Sequence, residues 1–112
     1  MPLFEATWGE AGKDYEPVLA RSLTYVAAYD TDKLIGFVNV AWDGSIHAFL
    51  LDTTVHPEYQ RRGVGSELVR RATAEAKRLG MYWLHVDYDA YLKGSYEDCG
   101  FKETHAGLIR LN

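Results

Sequence analysis

The segment Gln60–Gly65 has residue types and spacing that could bind an anion. Its two glycines stand where an apolar strand gives way to an amphipathic helix, and glycine lets the backbone turn tightly and approach a ligand closely. The first amides of a helix lack intrahelical partners and lie at the positive end of its dipole, so they can hold an anion. Arg61 and Arg62 add positive charge, and Ser66 adds a hydroxyl. The segment predicts a phosphate or pyrophosphate site, with an ordinary strand-to-helix turn as the alternative.

Hydrophobic patterning predicts the strands that lead into this segment. Thr24–Tyr29 and Leu34–Trp42 are rich in β-branched and aromatic residues and flank a polar turn, which predicts an antiparallel hairpin. Ile46–Val55 is mostly apolar along its length, as expected of a central strand covered on both faces. Pro57 ends that strand, because proline cannot donate to a strand ladder.

A helix is predicted directly after the glycines. Apolar residues recur at three- and four-residue steps from Val64 to Leu79, and Gly80 is placed to cap the end. Tyr82–Val86 predicts a fourth strand, Ala90–Asp98 a short helix, and Phe101–Leu111 a final strand. The predicted order is β-β-β-α-β-α-β, a mixed α/β sheet in a single domain, residues 1–112.

Composition narrows the classes of function. The net charge of −4 argues against binding nucleic acid through a general positive field. The longest apolar run is far short of a membrane span and no signal peptide opens the chain, so a cytoplasmic location and no membrane partner are expected. Cys99 is the one cysteine and cannot form an internal disulfide, and the four histidines are scattered, so no metal site is expected. Neither Gly-x-Gly-x-x-Gly nor Gly-Lys-Ser/Thr is present, which disfavours the common nucleotide-binding folds.

Two ordered motifs resemble those of the GNAT (Gcn5-related) N-acetyltransferases. Gln60–Gly65 matches that family's Gln/Arg-x-x-Gly-x-Gly/Ala signature, and Val55–Tyr59 looks like its usual approach to the signature. Tyr96–Phe101 resembles the family's Tyr-x-x-x-Gly-Phe, and the gap between the motifs holds one helix and one strand, as the family requires. The resemblance covers about residues 22–111. It implies an α+β fold with a GNAT-type mixed, mostly antiparallel sheet.

The resemblance also implies acetyl-CoA as the acetyl donor and no metal. In the family the helix-start amides hold the coenzyme A pyrophosphate, and the backbone of the preceding strand lies along the pantetheine arm, where one amide could polarise the thioester carbonyl. Tyr96 occupies the general-acid position, and Asp89 stands where many relatives have an asparagine that contacts pantetheine. The expected coenzyme-binding residues are Thr53, Thr54, Val55, Gln60, Arg61, Arg62, Gly63, Val64, Gly65, Ser66, Asp89 and Tyr96.

The general base is less clearly indicated. Some relatives use a glutamate on the central strand, and this strand has none, so Asp52 is the best candidate, directly or through water. A structural aspartate that bonds nearby amides is the alternative, and His47 and Asp87 are weaker candidates. Tyr96 could instead be a packing residue, and Cys99 is expected to pack rather than to act as a nucleophile.

The front of the chain departs from the family pattern. A typical member begins with a strand and two helices before the hairpin, whereas roughly twenty residues precede it here. Residues 1–21 are therefore interpreted as a remnant of an N-terminally truncated domain, with Leu3–Trp8 as a helix remnant and residues 9–17 as loop, and residues 22–111 as the core. A missing edge strand leaves unpaired backbone groups and apolar surface, so a homodimer is expected.

The expected activity is transfer of an acetyl group from acetyl-CoA to a primary amine of a small molecule or peptide by direct attack. A catalytically degenerate acyl-CoA-binding module is the alternative. A protein- or tRNA-modifying toxin of the same fold is a third reading, which the acidic charge disfavours.

Overall fold

A computed structural model of the protein describes residues 16–112. Three helices and four strands follow one another along this part of the chain. They are α1 (Glu16–Arg21), β1 (Thr24–Asp30), β2 (Lys33–Trp42), β3 (His47–Val55), α2 (Val64–Arg78), β4 (Trp83–Val86) and α3 (Lys93–Asp98). Single 3-10 turns at Pro57–Tyr59 and Ala90–Leu92 precede α2 and α3.

The four strands form one sheet in the order β1-β2-β3-β4. The pairs β1–β2 and β2–β3 are antiparallel, while β3 and β4 are parallel and joined by the crossover helix α2. The parallel pairing is short and runs from His47 opposite Trp83 to Leu50 opposite Val86. The mixed, mostly antiparallel sheet predicted from the sequence is therefore confirmed.

Helix α2 packs its apolar stripe on one face of the sheet. Its residues at three- and four-residue steps point the same way, so one side of the helix is buried and the charged side is exposed. The strands approach α2 closely because β2 carries Gly36 beneath it. The core between them consists of Leu68, Val69, Ala72 and Ala76 from the helix and Val38, Val40, Ala48 and Leu50 from the strands, with Tyr96 at its edge.

Gly80 ends α2 as the sequence predicts. It has a φ of 90°, in the left-handed region that glycine adopts without a Cβ penalty. Its N–H donates to the carbonyl of Lys77 at 3.1 Å, and the N–H of Met81 donates to the carbonyl of Ala76 at 3.1 Å. These bonds satisfy carbonyls of the last helical turn that have no partner within the helix.

The opposite face of the sheet is covered less completely within residues 16–112. Leu19 of α1 packs with Leu34 and Ala27 around the buried ring of Phe37. On β3, by contrast, Phe49 is half-buried and Leu51 is exposed. The prediction that β3 is covered on both faces is wrong for the described part of the chain, because α1 has only six residues and reaches no further than the hairpin.

The structure corrects two other predictions about secondary structure. Residues 16 and 17, predicted as loop, begin α1; Pro17 fits there because the first helical turn needs no N–H donors. The predicted strand Phe101–Leu111 is not formed: residues 101–112 contain no strand. Only Phe101 packs on the core, and Leu108 is 92% exposed, so the segment buries too little apolar surface to be held against the sheet. The predicted helix Leu3–Trp8 lies outside the described residues.

Candidate active site

A β-bulge in β3 shapes the region where the predicted site residues meet. Phe37 of β2 lies opposite Thr54, but Asn39 lies opposite Leu51, so β3 has one extra residue between these pairs. Asp52, inside this interval, has a φ of 61°, which a non-glycine residue adopts only when its surroundings impose it. A bulge bends its strand and redirects the neighbouring side chains.

The bulge lies just beyond the last residue pair between β3 and β4. After Leu50 and Val86 no further residue pairs join β3 and β4, and the two strands separate. A cleft of about 380 Å³ fills the gap. It is lined by Leu50, Asp52 and Thr53 from β3, by Val86, Asp87, Tyr88 and Asp89 after β4, and by Leu92, Tyr96 and Leu108.

Tyr96 forms the wall of this cleft opposite β3. Its side chain is 9% exposed, and its ring stacks on Tyr88 with centroids 4.9 Å apart and meets Phe101 edge-on at 5.8 Å. These aromatic contacts fix the direction of the ring. Among residues 16–112 the phenol hydroxyl has no hydrogen-bond partner, although a buried tyrosine hydroxyl usually has one. The hydroxyl is therefore free to bond a ligand in the cleft.

The start of α2 presents free backbone amides near the far end of β3. Gly63 is the N-cap, with a φ of 82° and no side-chain cap bond, and the first N–H that bonds inside the helix is that of Glu67, to the carbonyl of Gly63 at 3.1 Å. The N–H groups of residues 64–66 consequently have no partner within the helix. Gly65 lies against the end of β3, since a Cβ built on it would stand 3.6 Å from Val55 Cγ2. The structure therefore forms the helix start with open amides on which the predicted anion site depends.

The loop before this helix is fastened at two places. The Gln60 side-chain amide donates to the carbonyl of Val55 at 3.1 Å, so this side chain ties the loop to β3 rather than extending outward. The Tyr59 hydroxyl donates to the Asp30 carboxylate, which raises the pKa of Tyr59 above its ordinary value. The Arg62 guanidinium lies 5.3 Å from the centre of the Tyr59 ring. Arg61, with a φ of 65°, is exposed.

The structure brings some of the predicted site residues together and separates others. Asp52, Thr53, Asp89 and Tyr96 share the cleft between β3 and β4. The Thr54 side chain points elsewhere: it is buried, and its hydroxyl donates to the carbonyl of Asp52 at 2.8 Å. Asp89 stands at the N-cap of the 3-10 turn, but its side chain makes no capping bond.

A second cleft, of about 440 Å³, opens on the other side of the start of α2. Arg62, Gly63 and Val64 line it together with Glu67, Leu68, Arg71 and residues of β1 and β2. Sequence reasoning does not find this cleft, because it depends on how β1 packs beside the helix. It also gives no role to Tyr88, whose place in the first cleft follows from the turn after β4. Cys99 is half-buried against the core with its thiol 3.9 Å from the carbonyl of Ser66, in keeping with a packing role.

Comparison with known proteins identifies the family. The profile described as "Acetyltransferase (GNAT) family" matches residues 1–101 of the chain. The chain belongs to the GNAT acetyltransferase family. It is similar to a mycothiol acetyltransferase of Mycobacterium avium (strain 104), with 31% identity over 85 residues. That match covers 75% of this chain and 26% of the relative, so the chain spans about a quarter of the length of the curated relatives it matches.

Solved structures agree with this family assignment. A GNAT-family acetyltransferase from Streptococcus pneumoniae superposes with a TM-score of 0.82 at 30% identity, covering 99% of this chain and 86% of the other. AAC(6')-Iy, in complex with the bisubstrate analogue CoA-S-monomethyl-acetylneamine, shares the fold with a TM-score of 0.75 at 20% identity, covering 99% and 87%. No helix of this GNAT domain within residues 16–112 is long and apolar enough to cross a membrane. In the same residues no group of three or more His, Cys, Asp or Glu side chains could hold a metal ion.

Proposed function

We propose that this domain transfers the acetyl group of acetyl-CoA to a primary amine of a small molecule or peptide, by direct attack of the amine on the thioester. The observation that carries the proposal is the cleft between β3 and β4. The bulge at Asp52, the buried phenol of Tyr96 and the carboxylate of Asp89 all line it. The open amides at the start of α2 lie next to the end of β3, where Gly65 approaches Val55.

Both the pyrophosphate and the pantetheine arm of acetyl-CoA fit this arrangement. The amides of residues 64–66 and the positive charges of Arg61 and Arg62 suit a pyrophosphate, because helix starts favour anions. The backbone of residues 54 and 55 pairs with β2 on one side, and residues 53–55 have no β4 partner on the other. The amide groups of a pantetheine arm can bond to such an edge as a strand would.

The reaction needs a base for the amine and an acid for the leaving thiolate. The amine nitrogen attacks the thioester carbonyl carbon, the C–N bond forms and the C–S bond breaks. Tyr96 donates its phenolic proton to the departing sulfur and regains one from solvent. Asp52 accepts the proton that the amine loses, directly or through a water, and releases it to solvent. An amide and free coenzyme A result.

The charges in the cleft favour an amine as the acceptor. The carboxylates of Asp52, Asp87 and Asp89 all line it. A protonated amine is attracted to such a cluster, whereas the arm of the donor that would lie beside it is uncharged. The negative charges therefore help the acceptor without repelling the part of the donor nearest to them.

Calorimetric titration with acetyl-CoA and CoA, followed by thiol-release assays on a panel of amines, tests the proposal. We expect both ligands to bind and at least one amine to be acetylated. Binding without turnover on any amine would instead identify an acyl-CoA-binding module. If neither ligand binds, the proposed function is wrong.

Replacing the phenol hydroxyl tests the assigned acid. Tyr96→Phe keeps the ring that stacks on Tyr88 and should lower turnover by about 10²-fold or more, the usual contribution of general acid catalysis. Acetyl-CoA affinity should change by less than about twofold, since the ring that lines the cleft is kept and only one hydroxyl is lost. Tyr91→Phe is the matched control, because Tyr91 is 82% exposed and does not line the cleft. Unchanged turnover in Tyr96→Phe would contradict the role.

We also propose that the protein forms a homodimer and is located in the cytoplasm. Within residues 16–112, β1 is an edge strand, and its Tyr25 and Tyr29 side chains are exposed. Exposed edges and aromatic side chains of this kind are commonly covered by a partner. Sedimentation velocity at micromolar concentration should give a dimer, and a monomer at every concentration would rule the assembly out.

A further inference from the structure

Two histidines that are 38 residues apart in sequence meet on the face of the sheet opposite α2. His47 is the first residue of β3, and His85 is the third residue of β4. Nδ1 of His47 lies 2.9 Å from Nε2 of His85. Their strand neighbours Ala48 and Leu50 are buried under α2, so the alternation along β3 places the histidine pair on the other face.

Packing on this face holds one of the two rings in place. The His85 ring stacks on Phe49 with centroids 4.8 Å apart and an interplanar angle of 21°. Phe49 is the direct partner of His85 in the parallel ladder, so the strand register itself sets this stack. His85 is exposed, and solvent can reach the pair from outside the sheet.

The spacing of the two nitrogens fits a hydrogen bond between them, and it also fits two ligands on one metal ion. A transition metal binds imidazole nitrogen at about 2.0–2.1 Å. Two such bonds at a right angle separate the nitrogens by about 2.9 Å, and two at a tetrahedral angle by about 3.4 Å. The observed 2.9 Å corresponds to the right angle found in square-planar and tetragonal sites, the geometry of Cu²⁺ and Ni²⁺. Without a metal the same spacing is an N–H···N hydrogen bond, which binding of the ion would replace.

A negative charge lies close to the pair. The Asp43 carboxylate, in the turn before β3, accepts the N–H of Ser45 at 2.8 Å and the backbone N–H of His47 at 3.2 Å. An anion beside His47 favours a cation bound there.

We propose that His47 and His85 form a two-histidine chelate for a divalent copper or nickel ion, on the outer face of β3 and β4. The described residues supply no third His, Cys or carboxylate ligand, so the remaining coordination positions are open to water or to an external ligand. The bound ion would join the two strands at the paired end of the β3–β4 ladder. The site is separate from the cleft and does not depend on the proposed acetyl transfer.

The test is a calorimetric titration of the full, tag-free chain with CuCl₂, NiCl₂ and ZnCl₂ in a buffer that does not bind metals. We expect one Cu²⁺ per chain, bound more tightly than Zn²⁺. His47→Gln and His85→Gln should each weaken Cu²⁺ binding by about tenfold or more, since each removes half of the chelate. His105→Gln, a histidine exposed in the C-terminal segment, and Cys99→Ser are the matched controls and should bind as the parent chain does.

Electron paramagnetic resonance of the Cu²⁺ complex separates a chelate from general surface binding. The parent chain should show two histidine nitrogen ligands, and each histidine variant one. Far-ultraviolet circular dichroism shows whether the variants are folded. Wild-type affinity in either histidine variant, loss of binding in Cys99→Ser or His105→Gln, or Zn²⁺ bound as tightly as Cu²⁺ would overturn the proposal.

Discussion

Gly36 sets how closely β2 approaches α2, and replacing it tests whether that contact positions the start of the helix. A Cβ added at Gly36 would stand 2.9 Å from Leu68 Cδ1 and 3.0 Å from Val64 Cγ1. Both distances are shorter than ordinary carbon contacts, so the helix or its side chains must move. Val64 is the first residue of α2, which means that the displacement reaches the amides assigned to the pyrophosphate.

The size of the effect follows from this crowding. Adding a methyl group to a packed core typically costs about 1–3 kcal/mol. For a domain of about this size each kcal/mol lowers the melting temperature by roughly 4–8 °C. Gly36→Ala should therefore lower it by about 5 °C or more. The end of the Leu68 side chain can give way more easily than backbone, which favours the lower part of the range.

Thermal denaturation of Gly36→Ala, with and without acetyl-CoA, measures both consequences. Acetyl-CoA should bind more weakly because the shifted helix start misplaces its amides. Gly94→Ala is the control: nothing lies within 4 Å of the added Cβ, and alanine favours the helix by about 0.5–1 kcal/mol. Combining Gly36→Ala with Leu68→Ala should cost less than the sum of the two, by about 0.5–3 kcal/mol. Parent-like stability of Gly36→Ala, or strict additivity in the double variant, would refute the reasoning.

Two further predictions concern the loop before α2. Gly63→Ala should lose about 1–2 kcal/mol of stability because its φ of 82° is unfavourable for alanine, and acetyl-CoA affinity should fall with it. Gly44→Ala, at a φ of 85° in the β2–β3 turn, should lose similar stability in denaturant unfolding but bind acetyl-CoA normally in calorimetry. Equal affinities of the two variants for acetyl-CoA would show that the loop before α2 does not belong to the donor site. The Tyr59 phenol should titrate above its ordinary pKa in ultraviolet difference spectra against Tyr59→Phe, because its hydroxyl donates a hydrogen bond to Asp30 and the Asp30 charge disfavours the phenolate. Asp30→Asn should lower that pKa, and an unchanged titration would exclude the bond.

Local patterns are sufficient to predict most of the fold. The hairpin, β3, α2 with its Gly80 cap and the short helix before Gly100 follow from periodicity and breaker residues, which act over a few neighbours. The strand prediction for the tail is wrong because β-branched and apolar residues around Leu108 indicate a strand only where a neighbouring strand and a covered face are available. Helix α1 is missed when Pro17 is counted as a breaker, although the first helical turn tolerates proline.

The candidate site is predictable where it depends on backbone and motif, and less so where it depends on register. The two glycines are sufficient to indicate where the helix starts, because their effect on the backbone is local. Asp52 stands out as an acid in an apolar strand, but its left-handed φ arises from an extra residue in the β2–β3 ladder, which one strand's sequence does not reveal. The approach of His47 to His85 depends on the parallel register across the α2 crossover, so counting scattered histidines does not find it.

The brief ladder between β3 and β4 has a consequence for how the domain holds together. β4 has four residues, is an edge strand of the described sheet, and has β3 as its only strand neighbour. Beyond Leu50, the exposed side of β3 offers peptide groups that a bound donor would occupy. Binding of the donor and pairing of β4 with β3 are then thermodynamically linked. The backbone amides of β4 should therefore exchange with solvent more slowly once the donor is bound. The donor would serve as a structural member of the sheet as well as a reactant.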